Sequence, residues 1–86
     1  MKTIWKYEIS ITDKQEILMP KGAKILSFQF QNGIPCLWVV VEPEIEKEKR
    51  KLFIIGTGNP FPVDLFLSFI GTVQNNNFVW HLFEEL

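Results

Sequence analysis

The dipeptide Asn32-Gly33 constrains this chain more than any other feature. It stands between two alternating segments, Leu26 to Gln31 before it and Ile34 to Glu42 after it. Both residues tolerate the positive φ of a type I′ turn, and that turn suits the twist of two paired strands. A two-residue loop also sets the register. Gln31 faces Ile34, Phe30 faces Pro35, Gln29 faces Cys36, Phe28 faces Leu37 and Ser27 faces Trp38; the same arithmetic sets Leu26 against Val39 and Ile25 against Val40. Pro35 then falls in a non-hydrogen-bonded pair and owes its hairpin partner no N–H. One face of the hairpin carries Leu26, Phe28, Phe30, Leu37, Val39 and Val41, which read as core. The other face is mixed: Ile25, Ser27, Gln29, Gln31, Cys36, Trp38 and Val40.

The same period of two runs along the rest of the chain. Trp5, Tyr7, Ile9 and Ile11 alternate with polar residues, and Thr12-Asp13-Lys14 makes a turn. Gln15 to Met19 is a short strand stopped by Pro20, with a turn at Lys21-Gly22. Residues 42–51, "EPEIEKEKRK", read as a solvated connection or one charged helical turn. Leu52 to Ile55 is strand, Gly58 to Leu65 is loop, and Val63 to Leu67 has room for a short helix. Phe66 to Gln74 and Phe78 to Phe83 form the last strands, around a turn at Asn75 to Asn77. Six or seven short strands with turns at roughly 8–12-residue intervals predict a mostly β chain. The expected architecture is a small antiparallel sandwich or partly open barrel with at most one short helix, in a single domain over residues 1–86.

Composition narrows the functions. Of the 86 residues 47% are hydrophobic, including eight Phe, so either the core is aromatic-rich or a partner covers apolar surface. A formal charge of −1 gives no basic field for a nucleic-acid polymer. One Cys and one His exclude an intrachain disulfide and a Cys/His zinc cluster, so neither metal nor cofactor is expected. No apolar run approaches the ~18 residues of a membrane span. A reducing cytoplasm is the expected location.

Two segments share an Ile-Gly-Thr core: "FIIGTGNPFP" (Phe53 to Pro62) and "SFIGTVQNNN" (Ser68 to Asn77). A phosphate-binding glycine loop leads into a helix whose N-terminal amides hold the anion. Here Pro60 and Pro62 follow Gly58, and neither the dinucleotide fingerprint nor the P-loop is present. Gly56 and Gly58 therefore read as a strand bend, or as a ligand loop of another kind built from Thr57, Gly58 and Asn59. The repeated Ile-Gly-Thr reads as two bends that pack together. Cys36 and His81 read as ordinary strand residues rather than a nucleophile–base pair, and Glu84 and Glu85 as solvated charge. Trp38 beside Ser27, Gln29 and Gln31 is a covered strand face, a subunit interface or a stacking platform.

The stretches "IWKYEI", "MPKGAKILSFQFQNGIPCLW", "VEP", "FIIGTGNP", "FIGTVQ" and "VWHLFEE" resemble a family of small proteins of unknown function encoded by tailed bacteriophages and prophages. The likeness spans nearly the whole chain, which departs from the family pattern at Asn59, where a histidine is common. It carries over no catalytic residues. The resemblance implies a protein that counters host defence by sequestering a nucleotide signal or by blocking a host protein. Together with the apolar excess, it points to a non-enzymatic homo-oligomer that binds a small ligand. Arg50 or Lys51 would then meet phosphate, Trp38 or Phe61 would stack, and Thr57, Gly58 and Asn59 would make polar contacts. The alternative is a protein–protein adaptor, host-protein inhibitor or virion accessory without a small-molecule ligand.

Overall fold

The computed structural model describes all 86 residues, Met1–Leu86, and contains seven strands: β1 (Thr3–Glu8), β2 (Lys14–Pro20), β3 (Lys24–Gln31), β4 (Ile34–Val41), β5 (Lys47–Gly56), β6 (Leu67–Asn75) and β7 (Phe78–Glu85). Asn32 and Gly33 hold φ of 53° and 79°, the conformation that closes a type I′ hairpin. From that turn β3 and β4 keep the expected register as far as Ser27 opposite Trp38. The ladder then shifts by one: Ile25 faces Val39 and Lys24 faces Val40. Leu26 is the extra residue of a β-bulge and is 47% exposed, so it leaves the expected core face. A one-residue insertion swaps the faces beyond it, and Ile25 packs against the core instead. Pro35 also behaves as its position requires. β1 lies along the other side of β4, yet its ladder ends at Glu8–Cys36. The next contact uses the Pro35 carbonyl, which accepts from Ile9 N–H at 3.0 Å.

Every pairing is antiparallel, in two sheets of order β1-β4-β3 and β2-β5-β7-β6. Neither sheet closes on itself, and the fold is a small β-sandwich. Met19, Phe28, Leu37, Val39, Val41, Leu52, Ile54, Val73 and Leu82 fill the space between the sheets. Full burial of an aliphatic or Phe side chain is worth about 1.5–3 kcal/mol, so these residues supply most of the driving force. β3 and β6 bring the sheets together, where Gly71 faces Phe28: a Cβ on that glycine would stand 3.8 Å from the Phe28 Cβ.

Two sequence expectations are corrected. Residues 47–51 are not a loose connection or a helical turn but the first half of β5, paired with β2 from Pro20–Lys47 to Glu16–Lys51. Charges of period two suit a strand that passes beyond the core. Lys51 stands opposite Glu16, and Lys21 reaches Glu46 at 2.8 Å just before the strand begins. The Val63–Leu67 segment forms no helix; it stays irregular until β6 starts at Leu67. Five residues are too few to offset the cost of nucleating a helical turn. No helix in the chain is long and apolar enough to cross a membrane.

Arg50 faces inward at one end of the sandwich. Its guanidinium donates to both carboxylate oxygens of Glu84 and, at 2.8 Å, to the Ala23 carbonyl. The two side chains are only 16% and 19% exposed. Hydrogen bonding to Glu84 raises the Arg50 guanidinium further above its ordinary value. This bidentate pair ties β5 and β7 to the start of β3.

Candidate functional site

β2 ends at Lys14, opposite Phe53, so the last residues of β5 have no strand on that side. Ile54 N–H still finds the Asp13 carbonyl at 3.3 Å, and beyond it the 57–66 loop wraps the open edge. Gly58 enables the turn with a φ of 89°, and Asn59 N–H closes it on the Gly56 carbonyl at 3.0 Å. The Asn59 side chain lies against the inner face. Its Nδ2 comes within 2.9 Å of where a Gly56 Cβ would stand, with Trp80 ring carbons at 3.1 and 3.4 Å. Gly56 is therefore small because two side chains close over it. Phe61, two residues further on, lies on the outer face, edge-on to Phe83 at 5.3 Å between centroids. Gly56–Trp80 and Phe53–Phe83 are three rungs apart on the β5–β7 ladder, so the two contacts fall on opposite faces.

The turn separates two open clefts. One, of about 450 Å³, is walled by Gly56, Thr57, Asn59, Asn77, Phe78, Val79 and Trp80. Its aromatic wall is a stacked pair: the Phe78 and Trp80 centroids are 5.5 Å apart with 14° between planes. The other, of about 440 Å³, is lined by Asp13, Phe53, Ile54, Ile55, Asn59, Pro60 and Pro62. Asn59 borders both. The first cleft joins a flat apolar wall to the two asparagines Asn59 and Asn77, groups that suit a planar ring with hydrogen-bonding edges.

Behind the turn the two Ile-Gly-Thr segments meet one residue. Thr57 Oγ1 lies 2.8 Å from His81 Nε2, and Thr72 Oγ1 lies 2.8 Å from His81 Nδ1. The segments do not touch as two packed bends; β7 runs between them and its histidine links their threonines. Thr57 N–H also donates to the Val79 carbonyl at 3.2 Å, which pins the turn to β7.

The residues singled out in the sequence are only partly brought together. Thr57, Gly58 and Asn59 share the turn, and Phe61 follows on the same loop but over the outer face. Trp38 is half-buried on the outer face of the other sheet, between Lys6 and Ser27. Lys51 stands on the outer face of its sheet, five strand residues or about 17 Å from Gly56. Arg50 is committed to Glu84 and Ala23. Cys36 is buried in β4, with Sγ 3.3 Å from the Ile34 carbonyl, and does not meet His81. Sequence reasoning missed Asn77, Phe78 and Trp80 as cleft residues and His81 with Thr72 behind it. A two-residue turn at Asn76-Asn77 carried the signal. Asn76 has φ 58°, and counting back from Asn75–Phe78 pairs Thr72 with His81.

A family model covers residues 1–86. The chain belongs to the family described as a domain of unknown function, DUF7352. No curated protein and no solved structure matches it. Family membership thus spans the cleft, the turn and the histidine behind them.

Proposed function

We propose that this DUF7352 chain is a non-enzymatic binding protein that holds a small planar ligand in the cleft beside the Gly56–Asn59 turn and works as a homo-oligomer. The observation that carries the reading is Asn59, whose amide sits over Gly56 against Trp80 at the mouth of a cleft walled by stacked aromatics. The ring would lie on Phe78 and Trp80, and the amides of Asn59 and Asn77 with the backbone of the Thr57–Gly58 turn would read its edge. A nucleobase has this chemistry. The cleft's polar side chains are uncharged, and Arg50 is already paired, so the base rather than a phosphate supplies the recognition. The likeness to phage proteins makes host nucleotide signals the first ligands to test, in a counter-defence setting within the host cytoplasm.

Thermal unfolding with adenosine, guanosine and cyclic dinucleotides tests the reading. A ligand at a hundredfold excess over its Kd adds about 2.7 kcal/mol. For a domain of this size that is a Tm rise of about 10 °C or more. Asn59→Ala and Phe78→Ala should abolish the rise while leaving the unliganded Tm within a few degrees. Absence of any shift with all of these compounds removes the nucleobase reading. It would favour the adaptor alternative, which has its own support in the exposed aromatics Phe61 and Phe69 flanking Phe83.

A further inference from the structure

We propose that the second cleft, at the open edge of β5, binds a guanidinium group carried on an alkyl stem, the chemistry of an arginine side chain. This site is separate from the nucleobase cleft and is tested independently of it. The β2–β5 pairing comes undone at one rung. Ile54 N–H donates to the Asp13 carbonyl at 3.3 Å, but the return bond, from Asp13 N–H to the Ile54 carbonyl, is not made. In an antiparallel pair the N–H and C=O of one residue leave on the same side. The Ile54 carbonyl therefore points away from β7, into the opening beyond the end of β2. The Ile54 side chain is 3% exposed and packs in the core, so this residue borders the cleft through its main chain. An unpaired main-chain acceptor on the cleft wall calls for a donor.

The rest of the lining selects the donor. Asp13 is the only charged residue of the seven that border the cleft. Its carboxylate enters none of the chain's ion pairs. Lys14, next to it in sequence, lies instead over the Phe53 ring, 5.8 Å from the centroid. A free carboxylate and a free carbonyl, both acceptors, thus belong to one rung. A planar guanidinium carries five N–H donors in a fixed fork and can meet two such acceptors at once, whereas an ammonium is a point charge. The walls suit the stem, because Phe53, Ile55, Pro60 and Pro62 are apolar. A volume of about 440 Å³ lies in the range of small-molecule sites. No charged residue lines the neighbouring cleft, so Asn59, which borders both, stands between a neutral site and an acidic one.

Other occupants fit less well. An anion would be repelled by Asp13. A neutral amide satisfies the Ile54 carbonyl but leaves the carboxylate without a counter-charge. An added β-strand needs successive free groups along the edge, and the next acceptor, the Gly56 carbonyl, is already taken by Asn59 N–H at 3.0 Å. Lys14 is the one opposing feature. Its ammonium stands over a residue of the cleft wall and weakens the field that Asp13 presents to a cation. The two neighbours therefore act on the site with opposite sign.

Proton–nitrogen NMR titration of the full chain with N-butylguanidine, N-butylurea and butylamine tests the proposal. The urea has nearly the shape of the guanidine without its charge, and the amine has the charge without the fork. N-butylguanidine should shift the amide signals of Asp13, Ile55 and Asn59 and bind several-fold better than butylamine. N-butylurea should leave those signals in place. Asp13→Asn keeps the main-chain bond to Ile54 and should weaken N-butylguanidine about fivefold, the worth of a partly exposed ion pair. Lys14→Gln should strengthen it, by up to about twofold at low salt. Shifts scattered over the surface carboxylates, equal binding of the urea and the guanidine, an Asp13→Asn titration that matches the wild type, or no binding at millimolar concentration each overturns the proposal. N-acetylarginine amide separates the two sources of the group. Tighter binding than N-butylguanidine assigns the cleft to an arginine of a partner polypeptide, and equal or weaker binding assigns it to a free guanidinium compound.

Discussion

Tyr7 shows how a single residue can be well packed and poorly paired. Its ring sits beside Leu37 on the inner side of β1, 6.4 Å from Trp5, and its hydroxyl has no hydrogen-bond partner. A buried hydroxyl without a partner forfeits its hydration with no return. Tyr7→Phe should leave stability unchanged or raise it by up to about 1 kcal/mol, measured by urea unfolding. The pH dependence follows from the same burial, which raises the Tyr7 phenol above its ordinary value. An unfolded tyrosine ionises near about pH 10 while the folded one resists, so unfolding releases a proton in alkali. The contribution is intact below the unfolded pKa and is lost as pH rises toward and through the folded one. The wild-type chain should weaken above about pH 10 more steeply than Tyr7→Phe.

The strands differ in how they present their edges. β1 carries Lys6 and Glu8, β2 carries Lys14, Glu16 and Pro20, and β3 carries Lys24 and its bulge. Charge, proline and bulges are the means by which sheets discourage stray pairing. β6 has nine residues, no charge and no proline, and only the shift near Ile70 interrupts it. Its Asn75–Phe78 pair closes a two-residue turn, so Gln74 opposite Val79 points its backbone groups away from β7. A second copy of the chain is the self-complementary partner for such an edge, with Thr72 of each copy against Gln74 of the other. Gln74→Pro removes an outward N–H and spares the β6–β7 ladder. Light scattering should find the wild-type chain associated at micromolar concentration and Gln74→Pro monomeric with its Tm little changed; a monomeric wild type rejects this edge. Element by element, the strands were legible wherever side chains alternate between bare apolar and polar. The Asn32-Gly33 hairpin gave its register down to Ser27–Trp38 by counting alone. The bulge at Leu26 was not legible, because an extra residue changes no local propensity. The first half of β5 was hidden because a lysine–glutamate run looks solvated whether it is loop or ladder. The cleft was half visible: the turn at Thr57 to Asn59 stands out by its glycine and prolines. The aromatics it faces lie twenty residues further on, and only the β5–β7 pairing brings them near.

As a whole the molecule is a slab, 41 × 33 × 15 Å, with a radius of gyration of 13.1 Å against about 12 Å for a typical globule of this length. Two layers of this thinness leave both outer faces bare. This is why Leu26, Phe61 and Phe69 are exposed in a chain so rich in apolar residues, and why a second copy would have surface to cover. The layout also has a kinetic consequence. Only two of the strand pairs, β3–β4 and β6–β7, are joined by two-residue turns; the others close long stretches of chain. Loop closure makes such distant pairings slow, so the two hairpins are the segments able to form early. They belong to different sheets, yet they touch where Gly71 faces Phe28. Gly33→Ala strains a turn residue held at φ 79° and costs about 1 kcal/mol. In stopped-flow measurements that loss should appear mainly as slower folding, about fivefold, with unfolding nearly unchanged. A loss confined to the unfolding limb would mean that the hairpin closes late. If folding slows as expected, the meeting of two hairpins across the future core is the moment at which the chain commits to its sandwich, before β1, β2 and β5 have found their partners.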